Sequence, residues 1–239
     1  MKKLFPLLCL VAGFSSAASA ADISTMQNLA QSEFRLLSED LGSALSYKPL
    51  APAEPLGITG FDLGLAVTST DISKSSAALA KASGGSSPIS TLIIPKLSVA
   101  KGLPFGIDVA AFVSAIPTTN IKLVGGELRY AIMSGGVVLP AVAIRGAITK
   151  LSGVDQLSFD TKSLDLSISK GFAMFTPYAG VGQVWVNSTA NVANLSNESF
   201  TQGKVFVGAN LNLGLVNFAL EGDRTGGTAS YSLKAGFRW

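Results

Sequence analysis

The chain has 239 residues, 48% of them hydrophobic and 14% charged, with one cysteine and no histidine. Of its 18 basic residues two, Lys2 and Lys3, stand at the extreme N-terminus, leaving 16 against 15 acidic ones, so the charge balance points to no nucleic-acid partner. After residue 20 no run of 18 apolar residues is free of charges and turn formers, which excludes helical membrane spans.

Residues 1–20 combine the basic start, an apolar stretch from Leu4 to Phe14 and a small-residue exit, Ala18-Ser19-Ala20, the pattern of a cleavable secretory signal. Cys9 falls inside this segment with no small residue ahead of it, so acylation is not expected, and the mature chain has no thiol for a disulfide or a metal. Asp22 to Ser46 reads as an amphipathic helix: Ser24 and Gln27 make a capping box, and Ala30, Phe34, Leu37, Leu41, Ala44 and Leu45 recur at spacings of three and four. A lone amphipathic helix does not stay folded in water and needs a surface to lie on. Pro49, Pro52 and Pro55 then form a stiff extended linker, which completes a segment over residues 21–56.

Ten strands are expected after it: Ile58 to Thr70, Thr91 to Lys101, Phe105 to Ala115, Ile121 to Ile132, Val137 to Lys150, Leu157 to Lys170, Phe175 to Asn187, Lys204 to Leu215, Val216 to Asp223 and Thr228 to Trp239. Phe61, Leu63, Leu65 and Val67 oppose Asp62, Gly64, Ala66 and Thr68, and the same two-faced pattern recurs along the chain; only the seventh strand, around Tyr178 to Val186, is ambiguous. The first long loop carries Ile72 to Lys81, with the composition of a short helix; it reads either as a solvated loop or as a segment that folds inward to narrow a channel or contacts a ligand.

The last twelve residues alternate without a break and end on an aromatic: Ala229, Tyr231, Leu233, Ala235, Phe237 and Trp239 on one face, Thr228, Ser230, Ser232, Lys234, Gly236 and Arg238 on the other. This ending resembles the sorting signal of bacterial outer-membrane β-barrels, with Tyr231, Phe237 and Trp239 as its residues. The tight links at Gly102-Leu103-Pro104, Ser134-Gly135-Gly136, Gly171 to Met174 and Gly214 to Val216, against long polar ones at Asp71 to Ser90 and Ser188 to Gly203, fit short periplasmic turns and longer external loops. The expected fold is all-β: a closed antiparallel transmembrane barrel over residues 57–239, of about ten strands with eight or twelve also compatible, plus the N-terminal helix at the rim, in the lumen or on the membrane. A soluble sandwich would also alternate, but small polar residues would make it a poor core.

The wet faces carry both signs: Asp62, Asp108, Glu127, Asp165, Glu221 and Asp223 against Lys96, Arg129, Arg145, Lys204, Lys234 and Arg238. Inside a narrow barrel they form either an ion-pair network that fills the lumen or a charged constriction that orients small solutes. Phe61, Tyr130, Tyr178, Trp185, Phe218, Tyr231, Phe237 and Trp239 are expected as interface anchors. No catalytic residue is expected: enzymes among the barrels that this pattern resembles draw on histidine, and Glu221 with Asp223 reads better as salt-bridge members than as a catalytic pair. No metal or cofactor is expected either, because His and Cys are missing and no acidic calcium loop appears.

The resemblance implies the bacterial outer membrane as location, its lipid and lipopolysaccharide as surroundings, and the barrel-assembly machinery as a partner during insertion; it leaves the oligomeric state open. The function expected first is a narrow channel or passive passage for small solutes or lipophiles, plugged or braced by the N-terminal helix. The alternative is a sealed structural or surface-interaction barrel.

Overall fold

The computed structural model describes residues 22–85, 87–116 and 121–239; the segment read as a signal peptide, with Cys9, lies outside them. Ten strands follow one another round the wall: β1 (Phe61–Asp71), β2 (Thr91–Gly102), β3 (Ile107–Ala115), β4 (Lys122–Ser134), β5 (Ala141–Ser152), β6 (Leu157–Ser169), β7 (Phe175–Ala190), β8 (Glu198–Leu213), β9 (Val216–Thr225) and β10 (Thr228–Arg238). Each pairs antiparallel with its neighbours in the chain, and β1 pairs with β10 from Asp62 opposite Arg238 to Thr70 opposite Ser230. The strand order therefore closes into a ring with no free edge strand facing lipid. The seam ends on Trp239, whose N–H donates to the Phe61 carbonyl at 3.1 Å and whose ring stacks on Phe61 at 5.4 Å.

Period-two alternation sorts the side chains. Leu63, Leu65, Leu97, Val99, Val113, Leu128, Ile148, Leu164, Leu166, Val205, Val207, Leu220 and Leu233 point outward and are exposed, whereas their chain neighbours are covered inside. Among the described residues, outward ionisable groups sit toward strand ends: Lys101 and Lys170 near the short turns, Asp71, Lys122, Lys150, Asp160, Lys162 and Arg224 near the loops. The wall between is an uncharged apolar belt, as a membrane barrel requires.

The N-terminal segment departs from the expected helix. A single 3-10 turn covers Met26–Asn28, and helix α1 runs only over Gln31–Leu45. The Ser24 and Thr25 N–H groups are spent on the Ala82 carbonyl at 3.0 and 2.9 Å, so the Ser24/Gln27 capping box does not form; Glu33 caps instead, accepting the Ala30 N–H at 3.0 Å. Ala82 closes α2 (Ser76–Ala82), the short helix of the first long loop, which packs on α1.

Strand bounds also shift. β1 waits until Phe61 because residues 57–60 form a turn at Gly57, whose φ is 77°, and β5 waits until Ala141 because Gly135, φ 78°, begins a turn that runs to Pro140. Most of the polar stretch expected as a loop from Ser188 to Gly203 is strand: β7 and β8 continue outward and leave only 191–197 as loop. Their outward residues there, Asn187, Ser199 and Thr201, suit strands that rise above lipid into water.

Leu65, 61% exposed at mid-height on β1, gives a direct check of the belt. Leu65→Lys is expected to lower unfolding stability in lipid vesicles by about 2–4 kcal/mol, read by urea titration of tryptophan emission.

Candidate functional site: a threaded lumen

The lumen has two zones, and one continuous segment occupies both. At the loop end α1 buries Phe34, Leu37, Leu41 and Leu45 against inward residues of the wall, among them Leu92, Phe112, Leu123, Leu151, Phe159, Val184 and Val186. The approach is close at Gly42, where a Cβ would lie 2.7 Å from Gln202 Oε1 and 2.9 Å from Val186 Cγ2. Only glycine lets the helix backbone come this near the wall.

Below α1 the chain runs extended toward the turn end. Extended backbone with three prolines makes no ladder of its own, so its polar groups need partners from the wall. They find them at successive levels. Thr149 Oγ1 donates to the Leu45 carbonyl at 2.9 Å, Lys204 Nζ to that of Tyr47 at 2.8 Å, Lys96 Nζ to that of Lys48 at 2.7 Å, and Arg129 Nη1 to that of Pro52 at 2.6 Å. In the other direction the N–H groups of Leu50, Ala53 and Leu56 donate to Glu221 at 3.1 Å, Ser169 at 3.0 Å and Asp108 at 3.1 Å. Lys48 itself reaches Asp223 at 2.8 Å and Ser230 at 3.3 Å.

All twelve ionisable residues of the wet faces point into this lumen. Arg129 pairs with Asp108, Arg145 with Glu127 at 2.8 Å, Lys204 with Asp165 at 3.3 Å and Lys234 with Asp62 at 2.8 Å; Arg238 stands 4.0 Å from Asp62. Lys96 has no carboxylate at that range and sits over the rings of Tyr47 at 5.1 Å and Phe112 at 5.5 Å, a cation-π arrangement. Several of these groups therefore bind the threaded segment as well as each other, a third arrangement beside the two the sequence left open. A cavity of about 30 Å³ lined by Tyr47, Pro49, Leu50, Lys96 and Arg129 remains. It has room for a water or two but for no solute.

The aromatic residues divide. Phe61, Tyr130, Phe218, Phe237 and Trp239 lie outward near the turn end, Trp185 and Tyr231 outward nearer the loops. Tyr178 is a correction: it faces the lumen, 3% exposed, and its hydroxyl donates to Glu221 at 3.0 Å. The reason is Gly208, its partner on β8, where a Cβ would lie 2.4 Å from the tyrosine ring. The missing side chain leaves the ring a bed inside, and the ambiguous alternation of β7 hid this. Sequence reading also missed Lys48, although it is the only cation in the proline-rich linker.

At the loop end α1 is tied to its surroundings by charge. Arg35 donates to Glu39 at 2.8 Å and Glu198 at 2.9 Å and lies 4.0 Å over Phe200; the two carboxylates raise its pKa. Glu33 accepts from Lys81 of α2, and this bond with the Ala30 N–H holds its carboxyl below the usual range.

A closed barrel with an apolar outer belt and an ionic interior is the architecture of bacterial outer-membrane β-barrels. No family model and no curated protein sequence matches the chain. Among solved structures it is similar to Ail, the attachment invasion locus protein of Yersinia pestis, at 8% identity and TM-score 0.34 over 75% of this chain and 98% of that one. It is similar to LpxR from Salmonella typhimurium at 11% identity and TM-score 0.35, covering 73% and 99%. The translocator domain of the autotransporter NalP from Neisseria meningitidis gives 11% and 0.35, covering 93% and 100%. These are likenesses of barrel architecture alone. They also correct the expectation that the chain is no enzyme: LpxR is an enzymatic outer-membrane barrel, so this architecture does not exclude catalysis, and the missing histidine excludes only mechanisms that use one.

Two tests follow from this geometry. Arg129→Met strands Asp108 in the lumen and is expected to cost about 3–5 kcal/mol, with much of the loss recovered when Asp108→Asn is added, read by urea unfolding. Because the folded pKa of Glu33 is depressed, its tie to α2 is present above the unfolded value near 4.5 and is lost as pH falls through the folded one. Hydrogen exchange of the amides of residues 76–82 should therefore accelerate on acidification below that value, and Glu33→Gln should abolish the pH dependence.

Proposed function

We propose that this protein is a sealed outer-membrane barrel that holds its own N-terminal segment through the lumen and presents residues 22–30, with α2 and the strand extensions of β7 and β8, at the outer surface. The observation that carries this reading is the set of wall side chains bonded to seven backbone groups between Leu45 and Leu56, spread from the end of α1 toward the turn end of the lumen. With short turns at the periplasmic end, the start of the described chain lies at the outer end. Three bonds tie the lid together there: Lys74 Nζ donates to the Gly227 carbonyl at 2.8 Å, Ser75 N–H to Asp40 at 3.0 Å, and Gln31 Nε2 to Glu198 at 2.6 Å. Such a surface suits contact with other molecules outside the cell more than passage of solutes through the wall.

Transport, the function the sequence put first, then requires the segment to leave the lumen. A cross-link separates the two readings, since Ser38 Oγ and Ser188 Oγ are 2.8 Å apart. In planar bilayers the full chain is expected to show no conductance, and Ser38→Cys with Ser188→Cys, oxidised, should behave identically. A steady conductance in the wild type that the cross-link removes would overturn the sealed reading.

A further inference from the structure

The outer wall holds three lysines on consecutive strands near the loop end: Lys122 on β4, Lys150 on β5 and Lys162 on β6, all outward and exposed. The register sets them one diagonal step apart, because Lys150 lies opposite Val124, two residues below Lys122, and Lys162 lies opposite Ile148, two residues below Lys150. Diagonal neighbours of this kind stand about 7–8 Å apart. Lys162 is also paired with outward Trp185 on β7, a residue type that settles at the boundary between headgroups and hydrocarbon.

We propose that Lys122, Lys150 and Lys162 form a binding site for the phosphate groups of a lipid in the outer leaflet. The contrast with the turn end is informative. There the outward lysines are occupied: Lys101 Nζ donates to the carbonyls of Ile58 and Gly60, and Lys170 Nζ to those of Gly136, Val137 and Leu139. Among the described residues none of the three loop-end ammonium groups has an ion-pair or hydrogen-bond partner. The one carboxylate beside them, Asp160 opposite Lys150, accepts from Asn187 Nδ2 at 3.0 Å and forms no ion pair. Three like charges left together at the headgroup level call for a multivalent anion.

The wall below the lysines fits the rest of such a molecule. Gly126 and Gly146 face outward on adjacent strands between Val124 and Leu128 on one side and Ile144 and Ile148 on the other. A Cβ on Gly146 would meet nothing within 4 Å, and one on Gly126 would meet only the Ala110 carbonyl at 3.1 Å. The two glycines leave a shallow apolar trough under the cationic steps, where an acyl chain can lie. Phosphate above and hydrocarbon below is the chemistry of a phosphorylated glycolipid or phospholipid, and the position at the loop end commits the site to the outer leaflet.

The test uses the full-length protein in neutral detergent, with folding checked by heat-dependent migration, and measures binding of bisphosphorylated lipid A by native mass spectrometry. The probes beside it are dephosphorylated lipid A and inorganic phosphate. At about fivefold per cation when lysines lie near an anionic surface, K122Q/K150Q/K162Q is expected to weaken binding by roughly a hundredfold. Replacing the same three by Arg should retain it, and Arg224→Gln on β9 should leave it unchanged. Gly146→Leu should weaken it while leaving all three charges in place. Equal binding of the dephosphorylated lipid, displacement by millimolar inorganic phosphate, or an unaltered affinity in the triple glutamine variant would each overturn the assignment.

Discussion

The structure depends on one requirement, that every backbone N–H and C=O removed from water be given a partner. On the lipid side the requirement is met by closure, with β1 and β10 pairing along nine residues and Phe61 and Trp239 exchanging hydrogen bonds at the end of the seam. On the inner side closure does nothing for a chain that enters the lumen. Residues 46–56 contain Pro49, Pro52 and Pro55, which removes three donors and bars both helix and strand pairing across much of the segment. Six of the groups that are left are met by side chains from the wall. Lysine and arginine serve three carbonyls, and two carboxylates and the Ser169 hydroxyl serve three N–H groups, which explains why the lumen carries both signs in nearly equal number.

The two zones follow from the two kinds of backbone they surround. A helix satisfies its own interior groups and offers an apolar stripe, so the wall around α1 is apolar: Val184 and Val186 on β7, Leu157 and Phe159 on β6, Leu151 on β5. An extended segment offers bare polar groups, so the wall around residues 46–56 is ionic. The change occurs where α1 ends. The Leu45 carbonyl, which the helix can no longer serve, is taken by Thr149, and Thr149 shares a hydrogen bond with Thr161 at 2.7 Å. Buried ion pairs of this sort add little to stability by themselves. Their effect here is positional, fixing the height of each linker residue inside the barrel.

Much of this was legible in the sequence, and the reasons are local. The inward direction of the twelve charges follows from parity alone, because a period of two leaves no freedom once a strand is assigned, whereas closure and a count of about ten strands rest on the turn lengths and the aromatic ending. Parity gave no help at β7, where Tyr178, Gly180, Val184 and Val186 share the inner face with Thr176 and Ser188. That face mixes sizes and polarities because it meets a helix at the top and an ionic zone below, and a single pattern cannot describe it. The same cause hid the apolar upper lumen. Where α1 begins was illegible for another reason: Ser24 and Thr25 have good capping chemistry but give their N–H groups to Ala82, 57 residues later in the chain for Thr25. Lys48 could be seen as an isolated cation, yet its partner Asp223 lies 175 positions away, and no local rule joins them.

The same bonds bear on whether the lumen can open by simple withdrawal of its contents. If the segment left, water would enter and solvate the wall, so the relevant cost is the net worth of each exchanged hydrogen bond and not the full penalty of a stranded group. At roughly 1 kcal/mol for each of the seven backbone contacts, with the Lys48 ion pair added, that cost is about 8 kcal/mol, or nearly six decades of population. Exposure of Phe34, Leu37, Leu41 and Leu45 on α1 raises it further, at about 1.5–3 kcal/mol for each large apolar side chain returned to water. A barrel that leaked through an emptied lumen at that frequency would pass almost nothing. On the sealed reading proposed above, the resting protein is closed by its own chain, and a passage for solutes would need a partner able to replace those contacts one for one as the segment moved.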